Sequence, residues 1–324
     1  MLNAAPRSRV TLGSTTITYL PDGEVHLDPT VFFPASAPDG WSAYAPYLDD
    51  DGRLPISVGS FLVRTPTHRV LVDLGLGAVD FDIPGMGSFT GGRLIDSLAA
   101  EDLHPSDIDT VVFTHLHHDH VGWTTDHAPA PNAVHSGSPT GLTFDRARHV
   151  VDRSEWEFWN GSAELTGPDP EAVQKPLSPV VQFLDRGEPI VPGVRAIPTA
   201  GHTPGHTSLL VTAPDSDERV LILGDVMHTQ AQVSETHWNF RFDVDPKLGR
   251  KHASGCSTTT TTSVRPSPEA ISRGTSSATS CRQDCSIAGP PLPSEPSLGY
   301  RPAQPVSATA QSARGPAWRT STVS

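Results

Sequence analysis

The sequence is poor in cysteine. Only Cys256, Cys281 and Cys285 occur in 324 residues, all late in the chain and with no C-x-x-C pair. That excludes a disulfide framework and a thiolate zinc site. Long apolar runs are missing too. No stretch reaches the roughly 18 apolar residues that a membrane-spanning helix needs. The opening MLNAAPRSRV has no apolar signal core, so a cytoplasmic location is the expectation. Basic residues are scarce: 23 Lys and Arg stand against 36 Asp and Glu, a net charge of −13. A phosphate backbone calls for a basic surface, so nucleic acid is not expected as a partner. The plain reading of the acidic balance is solubility.

What is present is enough for a core, since 36% of the residues are hydrophobic. Up to about Arg250, apolar runs alternate with turn chemistry. Residues 56–65 and 68–75 read as a strand pair joined at Pro66-Thr67, and 109–115 as a short buried strand. Residues 91–103 read as a helix, with Leu94, Leu98 and Leu103 near helical spacing. Segments 151–160 and 170–184 look helical in part, and 194–201, 206–214 and 219–226 read as three more strands. The mixture defines an α/β or α+β class.

From about His252 the composition turns to Ser, Thr, Pro and Gly with no apolar period. Such a segment cannot bury enough apolar area to offset its ordering entropy. The expectation is a catalytic domain over 1–251 and a disordered tail over 252–324.

Chemistry concentrates in three motifs. THLHHDHVGW (114–123) follows the buried strand directly. In an extended segment His115 and His117 share a face. After the turn, Asp119 and His120 enter the same region from the other side. That offers two histidines to one metal, and a carboxylate plus a histidine to a second. The alternative is a surface His-rich loop. In TAGHTPGHTS (199–208), His202 sits at a strand end and is assigned as the third histidine of the first metal; His206 reads as a structural histidine. In LILGDVMH (221–228), Asp225 at a strand tip is placed to bridge two cations, with a turn cap as the alternative. Trp123, Trp156 and Trp159 read as core packing before pocket lining.

THLHHDH, GHTPGHTS and GDVMH, in that order, resemble the metallo-β-lactamase fold superfamily of metal-dependent hydrolases. The resemblance covers about residues 8 to 250. It is closest to the branch with methyl parathion hydrolase and the acyl-homoserine lactonase-like enzymes. It implies a four-layer αββα sandwich with two zinc ions at one edge of its sheets. His115, His117 and His202 would bind the first; Asp119 and His120 would bind the second; Asp225 would bridge them. It implies attack by a metal-bound hydroxide on a small ester, lactone or related substrate. Asp119 would also move a proton. His228 stands where the lactonases carry a substrate-touching tyrosine; it is either an oxyanion donor or a surface residue. Relatives in this family often form homodimers.

One part of the pattern is broken. The family closes its second metal site with a histidine on a late loop, and this chain has none after His252. His237 and His252 are the candidate substitutes. The tail also fits a shifted reading frame: one base over, 273–279 permits a glycine-histidine pair near the place of the missing ligand. An in-frame genomic read that reproduces the tail would remove that account. Without the final strand and helix, an exposed sheet edge and lower stability are expected. The competing functions are a mononuclear iron oxygenase on the same fold and an inactive metal-binding remnant. The irregular loops 30–50, 80–92 and 123–140 are expected to set specificity.

Overall fold

The computed structural model describes residues 5–36, 39–129, 138–162, 166–185, 187–260 and 278–281. It divides into two units, Met1–Cys285 and Ser286–Ser324, and the second lies outside the described residues.

The first sheet has nine strands: β1 (Ser8–Leu12), β2 (Thr15–Leu27), β3 (Leu54–Arg64), β4 (Arg69–Val72), β5 (Asp80–Ile83), β6 (Gly87–Thr90), β7 (Thr110–Val112), β8 (Arg148–Val151) and β9 (Val181–Phe183). Their order is β5-β6-β2-β3-β4-β7-β8-β9, with β1 on β2. The pairs β4/β7, β7/β8 and β8/β9 are parallel and the others antiparallel. The second sheet is antiparallel: β10 (Pro189–Val191), β11 (Val194–Pro198), β12 (Thr207–Ala213), β13 (Ser216–Ile222) and β14 (Ala278–Cys281).

Side chains alternate between two cores, as the two-residue period of a strand requires. Ile17 and Tyr19 of β2, Phe61 and Val63 of β3, and Val70 and Val72 of β4 face the second sheet. There they meet Val194, Leu209, Val211, Val220 and Ile222. Leu20, Leu62, Leu71 and Val111 face the other way. They pack under α1 (Leu94–Ala99) through Leu94 and Leu98, and under α2 (Arg153–Trp159) through Trp159. Burial on both faces explains why these strands read as continuous apolar runs. Beyond the second sheet, α3 (Pro246–Thr260) lays Ala253 on Leu223, Val226 and Met227. Helix, sheet, sheet and helix therefore stack in the expected four layers.

The differences from the sequence expectations have local causes. The helix expected over 91–103 is confined to Leu94–Ala99, because the buried carboxylate of Asp22 claims the start. It accepts from Gly92 N at 3.2 Å and from Leu94 N at 2.8 Å. It also holds Leu76 N at 2.7 Å and the Trp123 indole at 2.8 Å. Of 170–184, only 170–177 is helical, in two short turns, and 181–183 is a strand.

The boundary expected at 251/252 falls inside α3. That helix starts on Asp245, whose carboxylate accepts from Lys247 N at 3.1 Å and Leu248 N at 3.0 Å. Ala253 and Cys256, three apart, carry it over Leu223 and its neighbours despite the Ser/Thr composition. Ala278–Cys281 pairs with Ile222–Arg219, so the outer edge of β13 is not bare. An open edge recruits backbone and does not require an apolar pattern. The rest of the tail, including 273–277, lies outside the described residues. Among the described residues no helix is long and apolar enough to cross a membrane.

Candidate metal centre

The site lies where strands of both sheets end. β4 and β7 are parallel neighbours, so their C-terminal ends bring Asp73 and Thr114 together. Asp73 takes a left-handed φ of 59° and turns its carboxylate back on Thr114. It accepts from Thr114 N at 2.7 Å and Thr114 Oγ1 at 2.8 Å. Thr207 N, at the start of β12, donates to Thr114 O at 2.9 Å and joins the two sheets at this point.

Five imidazoles and two carboxylates converge here. His115 Nε2 is 3.0 Å from His117 Nδ1, which is 2.9 Å from His202 Nε2. Asp225 Oδ2 lies 3.3 Å from His120 Nε2, 3.5 Å from His202 Nε2 and 3.8 Å from His115 Nε2. Asp119 Oδ2 is 3.7 Å from His120 Nε2. His228 Nε2 is 3.2 Å from Asp225 Oδ2, and its side chain is only 7% exposed, so it is not a surface residue. The structure thus brings every sequence-predicted site residue into one cluster. Three overlapping groups could hold a metal: His115, His117 and His202; His115, His120 and Asp225; and His202, Asp225 and His228.

The partners behind each ring fix which nitrogen is bare. His120 Nδ1 meets the Asp73 carboxylate at 2.9 Å, and His202 Nδ1 meets the Asp243 carboxylate at 2.9 Å. A carboxylate only accepts, so both rings carry a proton on Nδ1. Neutral His202 then presents a lone pair at Nε2, and His120 would do so once a cation displaces its second proton. Thr114 Oγ1 spends its hydrogen on Asp73, so it accepts from His115 Nδ1 at 3.1 Å. That leaves His115 Nε2 bare as well. His117 Nδ1 can donate to only one of its two neighbours, so at least one contact opposes two lone pairs. A cation resolves that opposition. Zinc–nitrogen bonds of about 2.0–2.1 Å set neighbouring ligand nitrogens about 3 Å apart, as here.

The local electrostatics agree. Burial, with neighbouring imidazoles, pushes His115 and His117 well below the usual histidine range, so both stay neutral. Burial opposes charge on His120 and on Asp225 alike, but each is outweighed by the other. Asp225, Asp119 and Asp73 hold His120 well up; His120 and His228 hold Asp225 well down.

His206 is structural, as expected. Its Nε2 accepts from Asp225 N at 2.9 Å, and its Nδ1 faces Thr199 Oγ1 at 2.9 Å. Burial lowers its pKa to about 3, so it stays neutral. The turn it holds needs Gly224: φ is 59°, and an added Cβ would sit 2.7 Å from His206 Nε2. His237 is 64% exposed beside Glu235, and His252 is half-buried on α3; neither belongs to the three groups.

Three residues that the motif reading missed hold the ligands in place. Asp73 and Asp243 orient His120 and His202. Glu155 is buried and accepts from Leu116 N at 3.0 Å, Trp159 Nε1 at 2.7 Å and Gly205 N at 3.1 Å. It thereby ties the HLHHDH loop to the GHTPGH loop. The only sequence signals were isolated acids at a strand end (Asp73, in VDLGLG), in a helix (Glu155) and in a turn (Asp243).

A cleft opens from the cluster. Its walls include Leu27, Ile56, Ile83, Met86, Phe89 and Phe242, and among the described residues no Lys or Arg lines it. Phe32, Ile83, Met86 and Phe89 come from two of the three loops expected to set specificity; of the third, 130–137 lies outside the described residues. Trp123, Trp156 and Trp159 pack in or against the core and do not line the cleft.

Comparison with known proteins agrees with this geometry. Residues 54–246 match the metallo-beta-lactamase superfamily, and the chain belongs to it. An N-acyl homoserine lactonase from Bacillus sp. is 27% identical over 189 residues, 55% of this chain. The match spans 66% of that lactonase, just short of two thirds of its length. A "probable metallo-hydrolase" of Mycobacterium tuberculosis is 31% identical over 188 residues, 52% of this chain and 56% of that protein. Among solved structures, the dizinc quorum-quenching lactonase AidC shares the fold, with a TM-score of 0.63 at 20% identity over 80% of this chain and 88% of that one. Fold and site thus define a member of this superfamily with a cluster that could hold metal.

Proposed function

We propose that this chain is a zinc-dependent hydrolase of small, neutral esters or lactones that carry an apolar arm. The observation that carries the proposal is the convergence of bare nitrogens on Asp225, each set by an acceptor behind its ring. His115, His117 and His202 would hold one cation. Asp119 and His120 would hold a second, and Asp225 would stand between the two. Imidazole and carboxylate are donors that zinc takes. Bound there, two divalent cations would supply Lewis acidity, lowering the pKa of water at the site towards about 7 and polarising a carbonyl.

The chain's own residues supply the rest. Asp73, Thr114 and Asp243 fix the ring orientations, so the donors need no rearrangement during turnover. Asp119 is 31% exposed and lines the cleft. Its carboxylate can take the proton of an attacking water and return it to the leaving alcohol oxygen. The apolar walls favour an acyl or alkyl arm and exclude water from it. Away from the metal cluster, no Lys or Arg among the described residues lines the cleft to pair with an anionic group on the substrate's arm. The lactonase relatives support a cyclic ester as the first substrate to try. The place of action we propose is the cytoplasm, with the chain acting as a homodimer.

The test is turnover of a medium-chain acyl lactone and an aryl ester by zinc-loaded protein. The account expects hydrolysis that His117→Ala and Asp225→Ala reduce by at least about 100-fold, the order expected when a catalytic metal is lost. Absence of hydrolysis by fully loaded protein would refute the proposal. Iron as the retained metal would transfer the argument to the oxygenase.

A further inference from the structure

Family motifs give ligand roles to six residues of the cluster, and His228 is not among them. The structure nonetheless builds it in. Gln232 Oε1 accepts from the His228 backbone N at 2.6 Å and from Thr229 N at 3.3 Å. Gln232 Nε2 is itself anchored on Trp238 O at 2.8 Å. The His228 ring lies flat on Phe240, with centroids 3.8 Å apart and planes 11° apart, and meets the edge of Phe33 at 6.4 Å. Phe240 N donates to Asp243 Oδ2 at 3.1 Å, and Asp243 Oδ1 holds His202. One carboxylate therefore orders both rings.

Held this firmly, His228 makes no hydrogen bond through either ring nitrogen, although both are buried. Its Nε2 sits 3.2 Å from Asp225 Oδ2 without the alignment a hydrogen bond requires. A buried polar group left unpaired is costly, and such groups in native folds have partners. An oxyanion donor would aim its nitrogen along the cleft; this one faces a carboxylate. The spacing matches an edge of a coordination shell instead. His228 Nε2 to Asp225 Oδ2 is 3.2 Å, and Asp225 Oδ2 to His202 Nε2 is 3.5 Å. All three ligand atoms lie within 4.8 Å of one another.

We infer that His228 is a metal ligand: its Nε2, with His202 Nε2 and Asp225 Oδ2, binds the same divalent cation that His202 is assigned to hold. The inference rests on the metallo-hydrolase reading above and extends it. The added donor comes from the GDVMH motif itself, three residues past Asp225.

The test uses the full chain with Co2+ as the probe, because cobalt reports its ligands in its visible absorption and needs no substrate. His228→Phe keeps a ring on Phe240 and removes the donor nitrogen. His228→Gln keeps an N–H that can reach Asp225 but is a poor ligand. The inference expects both variants to bind Co2+ at least about tenfold more weakly, the scale on which even outer partners of a ligand act. It also expects both to change the visible band. If His228→Gln matches the parent in affinity and band, His228 only positions Asp225 and the inference is overturned, even if the Phe variant fails to fold. If the parent binds Co2+ and both variants match it, the inference alone fails. A parent that takes up no Co2+ overturns it together with the hydrolase reading.

Discussion

Replacing Asp243 with alanine separates ligand orientation from ligand identity, because Asp243 touches His202 and no other member of the cluster. Its Oδ1 takes His202 Nδ1 at 2.9 Å; its Oδ2 takes Phe240 N at 3.1 Å and Asn239 Nδ2 at 3.0 Å. Two losses follow in Asp243→Ala. Phe240 N loses its acceptor, which costs about 1–3 kcal/mol of stability. In a chain of this size each kcal/mol is worth about 2–4 °C, so the metal-free protein should melt roughly 2–12 °C lower. Separately, His202 can now place its proton on Nε2, beside His117 Nδ1, and block its own lone pair. Outer partners of metal-binding histidines are worth about 10–100-fold in affinity. Zinc affinity measured by chelator competition at neutral pH should therefore fall by that factor. The melting readout is taken without metal and the affinity readout with it. A variant that melts lower but binds zinc within twofold of the parent would refute the claim that Asp243 sets the His202 tautomer.

Glu155→Gln keeps the acceptor for Leu116 N and the Trp159 indole but turns an NH2 on Gly205 N. One orphaned donor costs about 1–3 kcal/mol; denaturant midpoints should fall accordingly, and an unchanged midpoint would mean Glu155 does not tie the two loops. His149 is a core histidine on β8 with neither ring nitrogen bonded, and burial lowers its pKa to about 4. The unfolded chain, with a histidine pKa of about 6.5, takes up this proton first on acidification. The His149 contribution is therefore constant above about pH 6.5 and is lost as pH falls towards about 4, by up to about 3 kcal/mol. His149→Phe should flatten the pH dependence of unfolding over that window relative to the parent, and parallel curves would count against it. Gly224→Ala should destabilise the fold and disturb the seat of Asp225, since the new Cβ meets His206 Nε2 at 2.7 Å; an unchanged melting temperature would contradict the turn geometry.

The clustering of the candidate ligands was legible because each sits in a short motif at a strand end, where spacing alone decides which side chains share a face. The two-sided strands were legible as apolar runs, although the long β2 was not picked out. What the sequence hid acts across long separations. Asp73 reaches His120 over 47 residues, Asp243 reaches His202 over 41, and Glu155 reaches Gly205 over 50. Each is a single acid without a pattern, and only the fold shows what it accepts from. The helix expected over 91–103 came out short for the same reason, because Asp22 claims Gly92 N and Leu94 N from 70 residues or more away. Composition mispredicted 252–260 because a few contacts, Ala253 and Cys256 on Leu223 and its neighbours, suffice to carry a helix.

The most direct measurement of the central claim is zinc content per chain, followed through stepwise removal by a weak chelator. The account predicts two zincs in the loaded protein. The one at Asp119 and His120 leaves first, and the one at His115, His117 and His202 resists. Protein that retains no zinc after loading, or loses both ions in a single step, would contradict it.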